Sequence, residues 1–324
     1  MAPRILVTGS EGQIGSELVP YLRTLYGRNE VVAADVRESR DPDSDGGPFE
    51  HVDVTDAATL ARVVKDHDIG VIYHLAGLLS ATGEVNPQLA WRVNLDGLKN
   101  VLGVALDRGV SKVFWPSSIA VFGPDAPKTN APQASPLNPT TMYGVTKVTG
   151  ELLCNYHFLK YGLDVRSIRY PGLISSKVLP GGGTTDYAVE IFYAALRKGA
   201  YTCFLREDTV LPMMYMPDAL RASVELMQAN RERVPRHMGY NLAAVSFSAG
   251  EIASEIRKYV PGFKVSYVPD HRQDIADSWP RSISDSEARQ DWGWSQEYDL
   301  AGMTSDMISK LEQRLKAELQ QKDV

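Results

Sequence analysis

Cysteine is nearly absent. The chain has two, Cys154 and Cys203, far apart in 324 residues. That excludes a disulfide framework and a cysteine-rich zinc site. The six histidines are scattered and form no HxxxH pair, so no metal is expected. Dense basic runs are also missing, and the formal net charge is −6. Neutralising a nucleic-acid backbone needs the opposite balance, so no nucleic acid partner is expected. No apolar run approaches the length of a membrane span, so no membrane partner is expected either. MAPRILVTG enters a strand at once and leaves no room for a signal or transit peptide. The expectation is a soluble, cytoplasmic protein.

What the chain does contain is an alternation. RILVTG (4–9), EVVAAD (30–35), GVIYHLAG (70–77), KVFWPSS (112–118) and DVRSIRY (164–170) are short, β-rich apolar runs. Helices are expected between them, at 13–26, 56–66, 86–108 and 142–161. Strand–helix alternation implies right-handed crossovers. The fold class is therefore α/β, a Rossmann-type doubly wound parallel sheet.

After Tyr170 the rhythm changes. Gly and Pro gather in PGLISSKVLPGGG. A helix is expected at 185–198, a short strand pair near 201–215, and a helix in MPDALRASVELM opened by Pro217. A helix near 248–259, a strand at 264–267 and a helix near 300–318 follow. This reads as a smaller C-terminal α/β substrate domain. The expected division is 1–172 for the dinucleotide domain, with later returns near 216–242, and 173–324 mainly for the substrate domain. The two are intertwined.

VTGSEGQIG places Gly9, Gly12 and Gly15 between the first strand and the first helix. The first allows a tight turn, the second close approach of a pyrophosphate, and the third close helix–strand packing. The helix start then offers N–H groups and a positive dipole to the phosphates. Asp35 ends the second strand, where a carboxylate accepts from both ribose hydroxyls and repels a 2′-phosphate. NAD is expected as cofactor, with neighbouring Arg37 leaving an opening for NADP. In HVDVTD (51–56), Asp53 and Val54 suit the border of an adenine ring. Asp53 and Asp56 equally suit capping of the next helix.

PSSIAVFG (116–123) lies at the carboxyl end of a strand, the edge where open parallel sheets bind ligands. YGVTK (143–147) opens a helix, so Tyr143 and Lys147 share one face. Oxidising an alcohol needs a base while hydride leaves carbon. A phenol titrates near ~10 unless a cation favours its phenolate. Lys147 and oxidised nicotinamide are the expected cations, and Ser118 is expected to hold the substrate oxygen.

On these residues the chain resembles the extended short-chain dehydrogenase/reductases. TGSEGQIG matches their glycine loop, HLAG (74–77) their fourth-strand motif, PSS their serine and YGVTK their tyrosine and lysine. Asn94 in WRVNLDG matches an asparagine that supports the lysine and a water in that family. The resemblance implies Ser118, Tyr143, Lys147 and Asn94 as catalytic residues. It adds Gln13, Ile14, Leu75, Ala76, Gly77 and Tyr170 to the cofactor site, beside Asn94, Tyr143 and Lys147. It also implies a homodimer through two long helices per subunit.

Many relatives in that family act on nucleotide sugars, with an asparagine after the sixth strand in a pattern like RYFN. This chain reads RYPG, with Gly172 at that place, and shows no arginine clamp beyond Arg206 and Arg221. RYPGLIS, PGGGTTDYAVEIFYAAL and LPMMYMPDALRA instead resemble the short-chain, zinc-independent type of L-threonine 3-dehydrogenase. That resemblance implies L-threonine as substrate and 2-amino-3-oxobutyrate as product. Glycine N–H groups around 181–183 and the Thr184 and Thr185 hydroxyls suit a small zwitterion. The plainer reading makes one threonine the N-cap of helix 185–198. The resemblance adds Ser80 and Trp279 to the substrate site, and Trp279 equally suits packing between domains. A nucleotide-sugar epimerase or reductase, and an NAD-sensing regulator, are the alternatives. The intact tyrosine and lysine favour catalysis.

Overall fold

In the computed structural model, which describes residues 3–38, 46–179 and 181–320, the alternation forms a single twisted layer. β1 (Arg4–Thr8) leads through α1 (Gly15–Tyr26) to β2 (Val31–Asp35) and β3 (Phe49–His51). α2 (Ala57–Asp66), β4 (Ile69–His74), α3 (Ser80–Val85), α4 (Pro87–Trp91) and α5 (Gly97–Asp107) follow. β5 (Lys112–Ser118), α6 (Met142–Tyr161) and β6 (Asp164–Tyr170) complete the first half. The second half runs β7 (Gly172–Ile174), α7 (Tyr187–Lys198), β8 (Ala200–Cys203), β9 (Val210–Tyr215), α8 (Met216–Gln228), β10 (Tyr240–Asn241), β11 (Val245–Ser248) and α9 (Ala249–Arg257). β12 (Lys264–Tyr267), α10 (Arg272–Ser278), α11 (Ser286–Trp292) and α12 (Leu300–Gln320) end it.

The main sheet has the order β3-β2-β1-β4-β5-β6-β10, and every pairing in it is parallel. β2 and β6 are buried along their whole length because helices cover both faces. Alternate residues feed two apolar layers. Leu6, Val32, Ile72 and Val113 pack with α2 and α5, while Ile5, Val31, Tyr73 and Phe114 pack with α1 and α8. This is a doubly wound, Rossmann-type α/β fold. A third apolar cluster lies under the second half, where Tyr187 and Phe192 of α7, Ile252 of α9 and Met307 of α12 meet.

Three expectations need correction. The helix expected at 86–108 is interrupted. Asn86 caps α4, then Arg92–Asp96 form a wide π-turn before α5 begins. The pair expected at 201–215 is not a hairpin. β8 pairs with β12, and β9 lies between β11 and β7. Distant packing, not local turn chemistry, chose those partners. The helix expected from 185 starts at Tyr187. Among the described residues, no helix is long and apolar enough to cross a membrane.

Candidate active site

The loop after β1 is shaped by contact. A Cβ on Gly9 would lie 2.5 Å from the Ala76 nitrogen, and Gly9 has φ +72°. A Cβ on Gly15 would lie 2.2 Å from the Gly9 oxygen. Both positions therefore require glycine. Gly12 meets only the Gly9 oxygen, at 3.1 Å, so its outer face stays bare. Ile14 stands at the start of α1 and supplies no side-chain cap, which leaves the helix N-terminus to a phosphate. Ser10 keeps a buried hydroxyl without a partner inside this loop. The Gln13 amide reaches only the Leu173 carbonyl, at 3.5 Å. These features fit a pyrophosphate.

Asp35 ends β2 and is 4% exposed. Its carboxylate accepts from Glu11 N at 2.9 Å and Arg37 N at 3.0 Å, and from Arg37 Nε at 3.1 Å. Burial pushes the carboxyl up, but the Arg37 and Glu11 hydrogen bonds outweigh it and hold it below its ordinary value. Asp53 is exposed and accepts from Thr55 N at 2.9 Å. Asp56, not Asp53, caps α2, through Ala58 N and Thr59 N. Val54 is buried beneath Gly97, where a Cβ would come within 2.8 Å of its methyl.

Past β4 the chain continues beside the glycine loop. Leu75 N donates to Thr8 O at 2.9 Å, and Ala76 and Gly77 follow. His74 shares a 2.8 Å hydrogen bond with the Thr8 hydroxyl, and burial pushes its imidazole down to about 3. It is therefore neutral.

Asn94 sits in the π-turn, a distortion often found at functional sites. Its Oδ1 accepts from Leu78 N at 2.7 Å, and its Nδ2 donates to Leu78 O at 3.1 Å and to the Thr146 hydroxyl at 3.2 Å. It thus pins both backbone groups of residue 78, two residues before Ser80. Its side chain bonds Thr146 rather than Lys147.

Thr141 caps α6 by accepting from Gly144 N at 3.1 Å. This places Tyr143 in the first turn and Lys147 one turn on. A Cβ on Gly144 would lie 2.3 Å from the Ala120 carbonyl oxygen. Glycine there lets α6 press against the end of β5, which brings the Tyr143 phenol within the influence of the Ser118 hydroxyl. Lys147 Nζ donates to Pro116 O at 2.6 Å and lies 4.5 Å above the Trp115 ring and 5.4 Å from the Tyr143 ring centre. Burial pulls the lysine down to about 8. Burial also pushes the phenol up to about 12, and the Ser118 hydroxyl offsets this only in part. Without the nicotinamide charge expected to act beside Lys147, desolvation dominates at the phenol.

One substrate-side segment packs on Tyr143, and a second meets the residue just before the first. A Cβ on Gly83 in α3 would lie 3.9 Å from the Tyr143 Cβ, and one on Gly181 would lie 3.4 Å from Leu79 Cδ1. Ser80 opens α3 and is buried. Thr184 is buried and Thr185 half-buried. Neither hydroxyl has a hydrogen-bond partner among the described residues. Neither threonine caps α7. Asp186 stands at that position, and its carboxylate turns back to accept from Gly182 N at 2.7 Å and Gly183 N at 2.5 Å. The expectation that these glycine N–H groups receive a ligand carboxylate is corrected, because Asp186 takes them. Pro180 of the same stretch lies outside the described residues.

Two aromatic residues are held in packing. Trp279 is buried in the cluster that contains Ile119, Phe122 and Tyr187. Tyr170 donates its hydroxyl to Ala219 O at 3.0 Å and faces α8. Only its backbone, at the carboxyl end of β6, is left for a cofactor. Reading the sequence missed Thr146 and the backward turn of Asp186. No local pattern marks either, since both roles depend on partners set by the fold.

A parallel sheet with a phosphate loop at its carboxyl edge, and a phenol, ammonium and hydroxyl set beside it, defines a nicotinamide-dependent enzyme class. Residues 5–243 match the NAD dependent epimerase/dehydratase family, and the chain belongs to it. NAD is its cofactor. An uncharacterized epimerase/dehydratase of Staphylococcus haemolyticus is 49% identical over 313 residues, covering 96% of this chain and 98% of that protein. Among solved structures, a holo GalE-like L-threonine dehydrogenase from Cupriavidus necator is 51% identical with a TM-score of 0.93, covering 95% of this chain and 100% of its own. An L-threonine dehydrogenase from Clostridium difficile is 47% identical with a TM-score of 0.94, covering 96% and 98%. A nucleoside-diphosphate-sugar epimerase from Agrobacterium tumefaciens, 21% identical with a TM-score of 0.83 over 95% and 94%, shares the fold.

Proposed function

We propose that the chain oxidises the β-hydroxyl of L-threonine with NAD⁺, giving 2-amino-3-oxobutyrate and NADH. The observation that supports this reading is that Ser80 opens the α3 helix packed against Tyr143, and that the Thr184 and Thr185 hydroxyls are uncommitted on the turn that meets Leu79. Arg206 is paired with Asp277, and Arg221 with Asp218 and Glu225, so neither arginine is arranged as a diphosphate clamp. Identity of about half to L-threonine dehydrogenases over nearly the whole chain supports the same substrate.

Tyr143 takes the hydroxyl proton as a phenolate while Ser118 holds the same oxygen. Bound NAD⁺ would supply the acceptor for the hydride that leaves the β-carbon. Lys147 holds the nicotinamide ribose and supplies positive charge beside the phenol. Thr184, Thr185 and Ser80 hold the amino-acid end, and Trp279 forms part of the wall. The glycine loop (Gly9, Gly12, Gln13, Ile14, Gly15), Asp35, Asp53, Val54 and residues 75–77 hold the dinucleotide. The dinucleotide part is residues 1–172, and the substrate part mainly 173–324.

We place the chain in the cytoplasm as a homodimer. Leu152, Tyr156 and Leu159, exposed along α6, form an apolar face suited to a second copy. A relative that is 51% identical is described as a monomeric L-threonine 3-dehydrogenase, so light scattering on this chain is the deciding measurement.

The activity test is direct. Protein, NAD⁺ and L-threonine are mixed, and NADH absorbance is followed. No NADH from threonine, together with conversion of a UDP-sugar, overturns the proposal.

A further inference from the structure

Residues 175–177 are held from three directions, and no step in the proposed reaction uses the groups that hold them. Ser175 follows β7, where the chain leaves the second sheet. Its hydroxyl donates to the carboxylate of Glu17 on α1. The same oxygen accepts from Lys177 N at 3.0 Å and Val178 N at 3.4 Å. Its single proton and its lone pairs are thus all engaged. Glu17 is only 7% exposed, a costly place for a carboxylate that serves packing alone.

From the opposite side, Arg314 of α12 donates Nη1 to Lys177 O at 2.7 Å and to Ser176 O at 3.3 Å. Tyr193 of α7 donates its hydroxyl to Ser176 O at 3.3 Å. A few residues downstream, the turn at 181–186 lies against Leu79 and carries Thr184 and Thr185.

We infer that Glu17, Ser175 and Arg314 are positioning residues for the substrate turn. They fix the point from which the chain delivers Thr184 and Thr185. Through α1 they also tie that point to the helix whose N-terminus faces the pyrophosphate loop. Ordinary packing would need no such set of directional bonds from three distant elements.

The test uses the full chain with Ser175→Ala, Arg314→Ala and Arg314→Lys, and two readouts. Hydrogen exchange of the 181–186 amides should accelerate about tenfold in both alanine variants, with the melting temperature close to wild type. KM for L-threonine should rise about tenfold, with kcat and the NAD⁺ dissociation constant within about twofold. Arg314→Lys keeps a donor and should recover most of both effects. Unchanged exchange in the alanine variants overturns the inference. So does faster exchange with an unchanged threonine KM, because the segment would then be anchored without serving substrate. The kinetic arm rests on the threonine reading. If the wild-type chain leaves threonine unoxidised, that reading fails, and the exchange arm still decides whether the turn is fixed from 175–177.

Discussion

Gly172 and Thr185 compete for one space. A Cβ on Gly172 would lie 2.7 Å from Thr185 Cγ2 and 2.3 Å from the Met213 sulfur. The missing asparagine of the RYFN pattern is therefore not a gap in this chain. Thr185 and Met213 fill the space that a side chain there would need.

Gly172→Asn should overpack this corner and cost about 1–3 kcal/mol. Thermal melting measures the loss, and threonine KM should rise as Thr185 is displaced. A variant with wild-type melting and threonine KM would show that the corner can yield, and that Gly172 does not set the choice of substrate.

Tyr143→Phe should lower turnover by about 10²–10⁴, with NAD⁺ affinity nearly unchanged. The phenol's pH behaviour has a definite sign. Its value is raised, to about 12, so the fold favours the neutral form. The stability from this preference is fully present below the ordinary tyrosine value of ~10 and is lost as pH rises toward 12. An ultraviolet difference titration, wild type minus Tyr143→Phe, should show the late ionisation without NAD⁺ and an earlier one with it. An early ionisation without NAD⁺ would return the tuning role to Lys147.

Asp35→Asn should weaken NAD⁺ about tenfold and improve NADP⁺ binding, because it removes the charge that repels a 2′-phosphate and releases the Arg37 guanidinium toward it. Calorimetry with both cofactors reads the change. If the ratio of the two affinities stays constant, recognition of the ribose lies elsewhere.

Asn94→Ala should leave the N–H and C=O of Leu78 unpaired at about 1–3 kcal/mol. Ser80 follows two residues later, so threonine KM should rise along with the loss in melting temperature. Lost stability with unchanged KM would confine Asn94 to a structural role.

Much of the glycine loop and of the tyrosine–lysine spacing was legible because its geometry is local. Gly9 and Gly15 are required by a turn that spans seven residues, and the Tyr143–Lys147 spacing follows from helical pitch. Asp35 was legible from its place at a strand end. The π-turn around Asn94 was not, since it arises where α4 and α5 must bring an amide against Leu78 and Thr146 at once. The glycines of LPGGGTTDYAVE invited an anion, and Asp186 from the same stretch answered it.

The sequence by itself determined the order of strands and helices, the glycine loop, the acid that ends β2, and the serine, tyrosine and lysine set. Those depend on backbone sterics and on spacings within one element. Tertiary structure decided which partner each polar group kept. Burial, not the neighbouring ammonium, sets the Tyr143 phenol, and Thr185 with Met213 excludes a larger side chain at Gly172. Desolvation and steric exclusion depend on atoms brought together from distant parts of the chain, and no local pattern records them.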